Sequence, residues 1–358
     1  MLNERDFYSD EPGSFGESEG RIDAGKMRPT MQNVAKAAGV SLKTVSRVVN
    51  NEPNVGEDTR EKVSKVIEEL GFRRNDLARN LRQGQISTTI GLIIEDIANP
   101  FYSNIAHGVE KVAQRYHYMV IICNSEENAQ REQELSNALF RRRVAGLLMV
   151  PASHDHSYLL PEARLGTPII FLDRPPDHLD TDTILLDNRG GARKGIEHLI
   201  AHGHRRIGVI GGDPLVHSGA ERLAGYREAL ADRSIPYDEA LLRSNRDEPL
   251  RAQEAVHELL MLADPPTALF TTNNRISIAV IRALYGMKRQ IALVGFDDFE
   301  LAELLPVPIT VIAHDAAALG EQAAELLFAR LHGDDLPPQH LVIPTELVVR
   351  GSGELPPE

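Results

Sequence analysis

The sequence predicts a small all-α helix-turn-helix headpiece followed by a larger α/β domain of two lobes, and three observations carry that reading. First, the stretch MQNVAKAAGVSLKTVSRVVNN at 31–51 places apolar residues at helical spacing on both sides of Gly39. Second, after Thr88 the texture changes to short apolar runs, at 90–94, 119–123, 147–150, 169–172, 184–186, 207–210, 268–270 and 292–294, each bounded by polar turns. Third, longer amphipathic stretches separate most of these runs. Continuous apolar runs alternating with helices mark strands buried on both faces of parallel sheets. The number of runs is large for one sheet, so two lobes with a cleft between them are expected.

Taken in order, residues 1–27 are acidic, rich in Gly and Ser and without apolar periodicity, a composition expected to stay disordered. They lack the basic start and apolar stretch of a secretory signal, and no run approaches the ~18 apolar residues of a membrane span. Met27 offers an alternative translation start; an acidic arm competing with DNA for the headpiece is the other reading.

From Arg28 to Arg74 the pattern becomes helical. Thr30 is a candidate N-cap for a first helix whose Val34, Ala35 and Ala38 share one face, and Gly39 ends it as a left-handed cap. Ser41 caps a second helix. There Val45, Val48 and Val49 point one way, while Leu42, Lys43, Ser46 and Arg47 fall on the other side. Two short helices joined by a Gly turn, the second presenting Lys, Ser and Arg near its start, describe a helix-turn-helix. Arg and Lys reach guanine O6 and N7 in the major groove, and Ser46 or Thr44 can meet bases or phosphates. Val63, Val66, Ile67 and Leu70 then predict a third amphipathic helix over 57–70, stopped by Gly71. The segment NDLARNLRQ at 75–83, capped by Asn75 and stopped by Gly84, is about two turns long and marginal without a partner. With Leu77 and Leu81 on one side and Arg79 and Arg82 nearby, DNA is a plausible partner. Residues 75–87 are read as a hinge helix and linker.

At this point the residues resemble the LacI/GalR (lactose repressor/galactose repressor) family of transcription regulators. The matching pieces are NVAKAAGVSLKTVSRVVNN, TREKV, ELGFRRNDLARNL, NPFY, HGHRRIGVIGG, RLAGY and VGFDDFELAELL, spread from Arg28 to Ser352. The resemblance implies a DNA-binding headpiece, a hinge helix and an effector domain (88–352) like the periplasmic sugar-binding proteins, with 353–358 left as a tail. It also implies a chain crossing: a first lobe at about 88–187, a second at about 190–310, then 316–332 back in the first and 341–350 in the second. Arg74 departs from the pattern by standing where these proteins often have proline. Spacing and resemblance together give an expected DNA-facing set of Thr30, Ser41, Leu42, Lys43, Thr44, Ser46, Arg47, Asn50 and Asn54, with Asn75, Ala78, Leu81 and Arg82 from the hinge. The resemblance implies that Leu81 wedges into the minor groove at the operator's centre.

Composition sets the bounds. The 358 residues suggest two or three domains, and 42 % hydrophobic content supplies a core. A net charge of −13 argues against a chain that coats nucleic acid throughout and fits an acidic domain carrying a local basic headpiece. The single Cys123, in the apolar run YMVIIC, excludes an intrachain disulfide and is expected to be a buried strand residue. A cytoplasmic location is expected.

In open α/β sheets ligands bind beyond the carboxyl ends of the strands. That rule selects Asn99, Phe101 and Tyr102 after the first strand, Asp173 and Arg174 after IIFL, and Asp187 and Asn188 after ILL. It also selects Ser218 and Arg222 after IGVIGG, Asn273 after ALFTT, and Asp297 and Asp298 after IALVGF. Carboxylate, amide and guanidinium groups with two aromatics suit a sugar, whose hydroxyls need directional partners and whose C–H faces stack on rings. Asn188, Ser218 and Asn273 each have a second reading as helix caps. The resemblance puts its effector-contacting Arg and Asp at Arg222 and Asp297 and an aromatic platform near Asp247. There the polar RSNRDEP departs from the pattern, as does Asn274, where Asp is common.

Other motifs carry less. Neither GxGxxG nor GxxxxGK[ST] follows the glycines at 208–212, and GxSxG is absent. His198, His202 and His204 lie at metal-like spacing, but at a helix end without a Cys or carboxylate cluster. No catalytic residue, cofactor or metal is therefore expected. The reading is a sequence-specific regulator, a repressor by resemblance, gated by a small-molecule effector of sugar type. A periplasmic-type sugar-binding protein leaves the headpiece unexplained, and a sugar-processing enzyme needs catalytic residues that the sequence does not offer. The partners expected are double-stranded operator DNA of near-palindromic sequence and a second copy of the chain, with no membrane. The last strand is followed by no leucine heptads, so a dimer is expected rather than a tetramer.

Overall fold

The structure, a computed structural model, describes residues 29–72, 87–244 and 249–357. The hinge candidates Asn75, Ala78, Leu81 and Arg82, the effector candidate Asp247 and the acidic extension lie outside the described residues. The headpiece and the domain from residue 87 onward are separate compact units, each described by itself.

In the headpiece, α1 (Met31–Ala38), α2 (Leu42–Val49) and α3 (Glu57–Leu70) enclose a small core of Val34, Ala35, Ala38, Val45, Val48 and Val63. Thr30 caps α1 through a reciprocal pair: the Asn33 amide donates to Thr30 Oγ1 at 3.3 Å and the Thr30 amide to Asn33 Oδ1 at 2.9 Å. Gly39, at φ +63°, makes the turn, and Ser41 caps α2 by accepting from the Thr44 amide at 3.1 Å. Such a side-chain cap stabilises a helix by ~1 kcal/mol, which matters for helices of eight residues. One expected core residue differs: Leu70, in the last turn of α3, is exposed. Leu70 shares the face of Val63, seven residues earlier, but it is the last residue of α3 and lies beyond the small core.

The larger unit holds two sheets. The elements of the first half are β1 (Thr89–Ile94), α4 (Pro100–Arg115), β2 (Met119–Asn124), α5 (Ala129–Arg141), β3 (Leu147–Met149), α6 (Leu160–Arg164), β4 (Ile169–Leu172) and β5 (Thr183–Leu186). The second half continues with α7 (Asn188–Ala201), β6 (Ile207–Ile210), α8 (His217–Asp232), β7 (Leu242–Arg243), α9 (Pro249–Leu260), β8 (Ala268–Thr271), α10 (Asn274–Met287), β9 (Ala292–Phe296) and β10 (Thr310–Ala313). Then follow α11 (Ala316–Leu331), β11 (His340–Ile343) and β12 (Glu346–Val348). Sheet one runs β11-β5-β4-β3-β1-β2, all parallel; sheet two runs β12-β10-β9-β8-β6-β7, with β12 antiparallel to β10. Each sheet is covered on both faces, which is why β1, β4, β6, β8 and β9 are buried almost throughout. In lobe one α4 and α11 cover one face and α5 the other; in lobe two α7 and α8 cover one face and α9 and α10 the other.

Two helix pairs approach at backbone distance. A Cβ on Gly108 of α4 would overlap the Ala317 carbonyl of α11, and one on Gly320 of α11 would overlap the Ile105 carbonyl of α4. In lobe two, Gly225 of α8 meets the Arg189 carbonyl of α7 in the same way.

The chain crosses between lobes three times: after β5 at Asp187, after β10 at His314, and after β11 at Thr345. The expected return of 341–350 to the second lobe is corrected by this pairing. β11 hydrogen-bonds β5 in sheet one, and only 346–348 join sheet two. β7, β10, β11 and β12 had no counterpart among the apolar runs. β7 has two residues, and β11 and β12 sit at sheet edges, where burial is incomplete and the apolar signal fades. Edge position also corrects the reading of Cys123: β2 is the other edge of sheet one, and the cysteine is half-buried. Residues 352–354 pack against the domain. Ser352 and Gly353 are buried, Ser352 Oγ donates to the Leu293 carbonyl at 2.5 Å, and Glu354 meets His198. Among the described residues no helix is long and apolar enough to cross a membrane.

Candidate nucleic-acid face and ligand cleft

The headpiece buries the valines of α2 and leaves the opposite side to solvent. Ser41, Leu42 and Lys43 are exposed, Leu42 at 46 %, while Thr44, Ser46, Arg47 and Asn50 are half-buried along the same helix. Asn50 follows α2 and donates to Ser46 Oγ at 3.3 Å, and Arg60 of α3 donates to Asn51 Oδ1 and the Glu52 carbonyl at 3.0 Å each. Asn54, exposed at φ +74°, turns the chain towards α3. Thr30 sits at the start of α1, where its hydroxyl is already engaged with Asn33. An exposed leucine beside Lys, Thr, Ser and Arg on a short helix matches the donor and methyl-contacting groups that read a major groove.

In the larger unit, a cleft of about 400 Å³ opens at the carboxyl ends of both sheets. Of the expected residues, Asn99, Phe101, Tyr102, Asp173, Arg174, Ser218, Arg222, Asn273 and Asp297 line it. Asn188 does not line it; it lies buried behind Arg222 and accepts from Arg222 Nε at 2.8 Å. The capping alternatives resolve one by one. Asn273 is the cap of α10 as well as a cleft residue, accepting from the Ile276 amide at 2.9 Å. Asp187, not Asn188, caps α7 by accepting from the Gly190 amide at 2.9 Å. Ser218 lies within α8 and makes no cap. Asp298 turns away from the cleft to pair with Arg350 at 2.6 Å.

Lobe two contributes an organised cation. Arg222 of α8 is 7 % exposed; it donates to the Thr272 carbonyl, lies 3.8 Å above the Phe296 ring and has Asp297 Oδ1 3.8 Å from Nη2. Asp297 receives a 2.8 Å hydrogen bond from His314 Nε2. Burial by itself would raise the Asp297 carboxyl. The Arg222 charge, the His314 hydrogen bond and the Asn274 backbone amide outweigh it and hold the group below the usual carboxylate range.

Lobe one contributes an acidic wall that the sequence showed only in part. Arg174, next to Asp173, donates from Nη1 to the Pro151 carbonyl at 3.1 Å and from Nη2 to Glu127 at 2.5 Å, with Glu95 and the Tyr102 hydroxyl each at 3.4 Å. Tyr102 donates to Glu95 Oε2 at 2.6 Å. Burial, then the Glu127 charge and the hydrogen bond between the two acids, push Glu95 up to about 8, while Arg174 overcomes burial to hold Glu127 low. Glu95 and Glu127 were not among the expected residues. Glu95 follows β1 and was available to the carboxyl-end rule, which went instead to the aromatics six and seven residues on. Glu127 sits in a turn that no periodicity marks. The loop 151–154, which supplies Ala152 and His154, is fixed by buried Glu132 of α5, which accepts from the Ala152 and Ser153 amides and the Tyr158 hydroxyl.

Among the described residues, most of the buried polar side-chain atoms without a hydrogen-bond partner gather at this place: Asp173 Oδ1, Arg174 Nε, Thr272 Oγ1, Asn274 Oδ1 and His314 Nδ1 lie in or directly behind the cleft, and His156 Nε2 is the exception. His198, His202 and His204 do not converge. They engage Glu354, the His198 carbonyl, and Thr267 with the Leu355 carbonyl respectively.

Comparison with known proteins agrees with this division. Residues 30–75 match the family model described as bacterial regulatory proteins, lacI family, and residues 196–353 match the periplasmic binding protein-like domain. The chain is 34 % identical to the ribose operon repressor of Escherichia coli over 90 % of this chain and 99 % of that protein. It is 32 % identical to the HTH-type transcriptional regulator DegA of Bacillus subtilis over 91 % and 98 %. Among solved structures, the lac repressor dimer bound to operator and the anti-inducer ONPF matches with TM-score 0.77 at 27 % identity, covering 91 % of this chain and 99 % of that one. A transcriptional regulator CelR–cellobiose complex matches with TM-score 0.67 at 32 % identity, covering 91 % and 100 %.

Proposed function

The chain belongs to the LacI family of bacterial regulatory proteins, DNA-binding transcriptional regulators, and from that premise we propose that it is a repressor whose operator affinity is set by a sugar effector held in the cleft. The observation that carries the effector reading is the gathering of unpartnered buried polar atoms around Arg222, Asp297 and Asp173. Folded proteins leave few such groups, because each costs about 1–3 kcal/mol when desolvated without a partner. A polyhydroxylated ligand supplies donors and acceptors to those that line the cleft, on Asp173, Arg174 and Thr272. Phe101 and Tyr102, edge to face at 4.9 Å, give its C–H surfaces an aromatic floor. The similarity to the CelR–cellobiose complex and to the ribose operon repressor supports a sugar as the class of ligand.

Binding to a near-palindromic operator calls for two headpieces, so the working form is a homodimer. The relatives are named as transcriptional regulators and repressors, and the cleft is read as a binding site. A thermal-shift screen over pentoses, hexoses, disaccharides and nucleobases, followed by operator titration with any hit, tests the proposal. A ligand that raises the melting temperature and shifts operator affinity supports it. A nucleobase as the sole hit overturns the sugar reading, and a hit without effect on operator binding overturns the gating.

A further inference from the structure

The lobe-one wall of the cleft carries more negative charge than its own cation answers. Glu95 ends β1, Glu127 lies in the β2–α5 turn, and Asp173 ends β4; one guanidinium, Arg174, stands among them. Arg174 faces inward. Its Nη atoms are spent on the Pro151 carbonyl, Glu127, Glu95 and the Tyr102 hydroxyl, and its Nε lies 3.5 Å from Asp173 Oδ2. Asp173 is 2 % exposed and its Oδ1 has no partner. The other charged groups facing this wall are His154 from the 151–154 loop and, from lobe two, Asp213, Arg222 and Asp297. Arg222 is already engaged with Asn188, Thr272 and Asp297. Among the described residues, carboxylates therefore outnumber cations on both sides of the cleft, and an anionic ligand, such as a sugar phosphate or a sugar acid, meets net repulsion from them.

We propose that Glu95, Glu127 and Asp173 form a subsite for a ligand ammonium group, so that the effector is an amino-bearing polyhydroxylated molecule of the amino-sugar class. This rests on the reading of the cleft as a sugar-effector site and narrows its ligand. Burial, followed by the Glu127 charge and hydrogen bond, raises Glu95 and keeps a proton on it. An ammonium placed between the acids supplies the positive charge instead. The exchange is balanced: the ligand enters as R–NH₃⁺, Glu95 gives up its proton to solvent, and the charge of the wall is unchanged. Asp173 Oδ1 then accepts one of the ammonium hydrogens.

The test compares glucosamine, galactosamine, mannosamine and the glucosamine β-1,4 dimer with glucose, galactose, mannose and cellobiose on the full chain. Thermal shift comes first, then calorimetry at about pH 6.5, where Glu95 is protonated, in two buffers of different protonation enthalpy. At least one amino sugar is expected to bind about tenfold or more tightly than its hydroxyl parent, the scale of one charge-assisted hydrogen bond, with release of about one proton. Glu95→Gln is expected to abolish that proton release, and Glu127→Gln to reduce amino-sugar affinity about tenfold while affecting the parent sugar less. A parent sugar that binds as well as its amino counterpart, or amino-sugar binding without proton release, overturns the ammonium subsite and leaves the sugar-effector reading standing. Failure of both series and of the pentoses and other disaccharides to shift the melting temperature overturns the two together, and a shift by one of those sugars alone overturns only the ammonium subsite.

Discussion

Asp173 and Asp297 occupy the same place in the two lobes. Each follows the third strand of its sheet, β4 in the order β11-β5-β4 and β9 in the order β12-β10-β9, and each holds the left-handed φ of +66°. Asp tolerates this conformation better than most residues because its short side chain bonds locally. Both carboxylates are thereby turned from the strand end into the cleft, one from each wall.

Replacing either the charge or the residue type at 297 separates binding from folding. Asp297→Asn keeps a side chain suited to left-handed backbone, so it is expected to fold, with a melting temperature lowered only by loss of its charge beside Arg222 and His314, and to lose the effector response. Asp297→Ala is expected to lose the response and a further ~1 kcal/mol of stability through backbone strain. Arg222→Ala is expected to abolish the response as well, with operator binding retained because the headpiece is a separate unit. Unchanged effector affinity in either Asp297→Asn or Arg222→Ala would remove that residue from the site.

Asn188 acts through Arg222. Asn188→Ala deletes the acceptor 2.8 Å from Arg222 Nε and leaves a buried N–H unmatched. Effector affinity is expected to fall by ~1–3 kcal/mol. Calorimetry that shows no loss would mean that the Thr272 carbonyl and Phe296 alone position the guanidinium.

The Glu95 carboxyl makes stability depend on pH in a definite direction. Its folded value of about 8 lies above the ordinary 4.5, so between these the folded state holds a proton that the unfolded chain has lost. The stabilisation is complete below about 4.5 and disappears as pH rises through about 8. Glu95→Gln is expected to flatten this fall in melting temperature. Asp297, held low, works in the opposite sense: its contribution is present above the ordinary carboxylate range and lost as pH falls below it. Melting curves across pH for wild type and Glu95→Gln check the sign.

On DNA, Arg47→Ala is expected to weaken specific operator binding by ~1–3 kcal/mol, the scale of one guanine contact. Lys43→Ala is expected to weaken all sequences alike and lower the salt slope by about one, as loss of a phosphate contact does. Equal specific and non-specific losses for Arg47→Ala would assign it to the backbone instead.

Oligomeric state follows from the half-site argument. Sedimentation at micromolar concentration is expected to show a dimer; a stable tetramer would contradict the expectation.

Legibility in the sequence followed burial. The strands covered on both faces, such as IIFL and IGVI, announced themselves as apolar runs, and the headpiece read clearly because Gly39, Ser41 and the valines of α2 form a local code. Edge strands β11 and β12 were blurred because half of each faces solvent. In the cleft, residues directly after strands were found by rule. Glu127 was missed because its role arises only when Arg174 arrives from a distant strand. Glu132 was missed for a similar reason: an acid in the first turn of α5 reads as ordinary helix chemistry, and only the folded loop at 151–158 makes it an anchor.

The three crossings between lobes bear on how force travels through the domain. One flexible strap would let the lobes swivel freely, whereas three straps act as a bearing that permits rotation about one axis and resists twist and slide. The first and third are laced together, with the Asp187 amide donating to the Ile343 carbonyl at 2.9 Å and Thr345 Oγ1 to the Asp187 carbonyl at 3.3 Å. The middle strap holds His314, whose ring is bonded to Asp297 at the bottom of the cleft and stands edge-on to Phe101 of the opposite lobe at 5.3 Å. A ligand contact at Asp297 is therefore expected to act directly on a crossing between the lobes, through the hydrogen bond to His314.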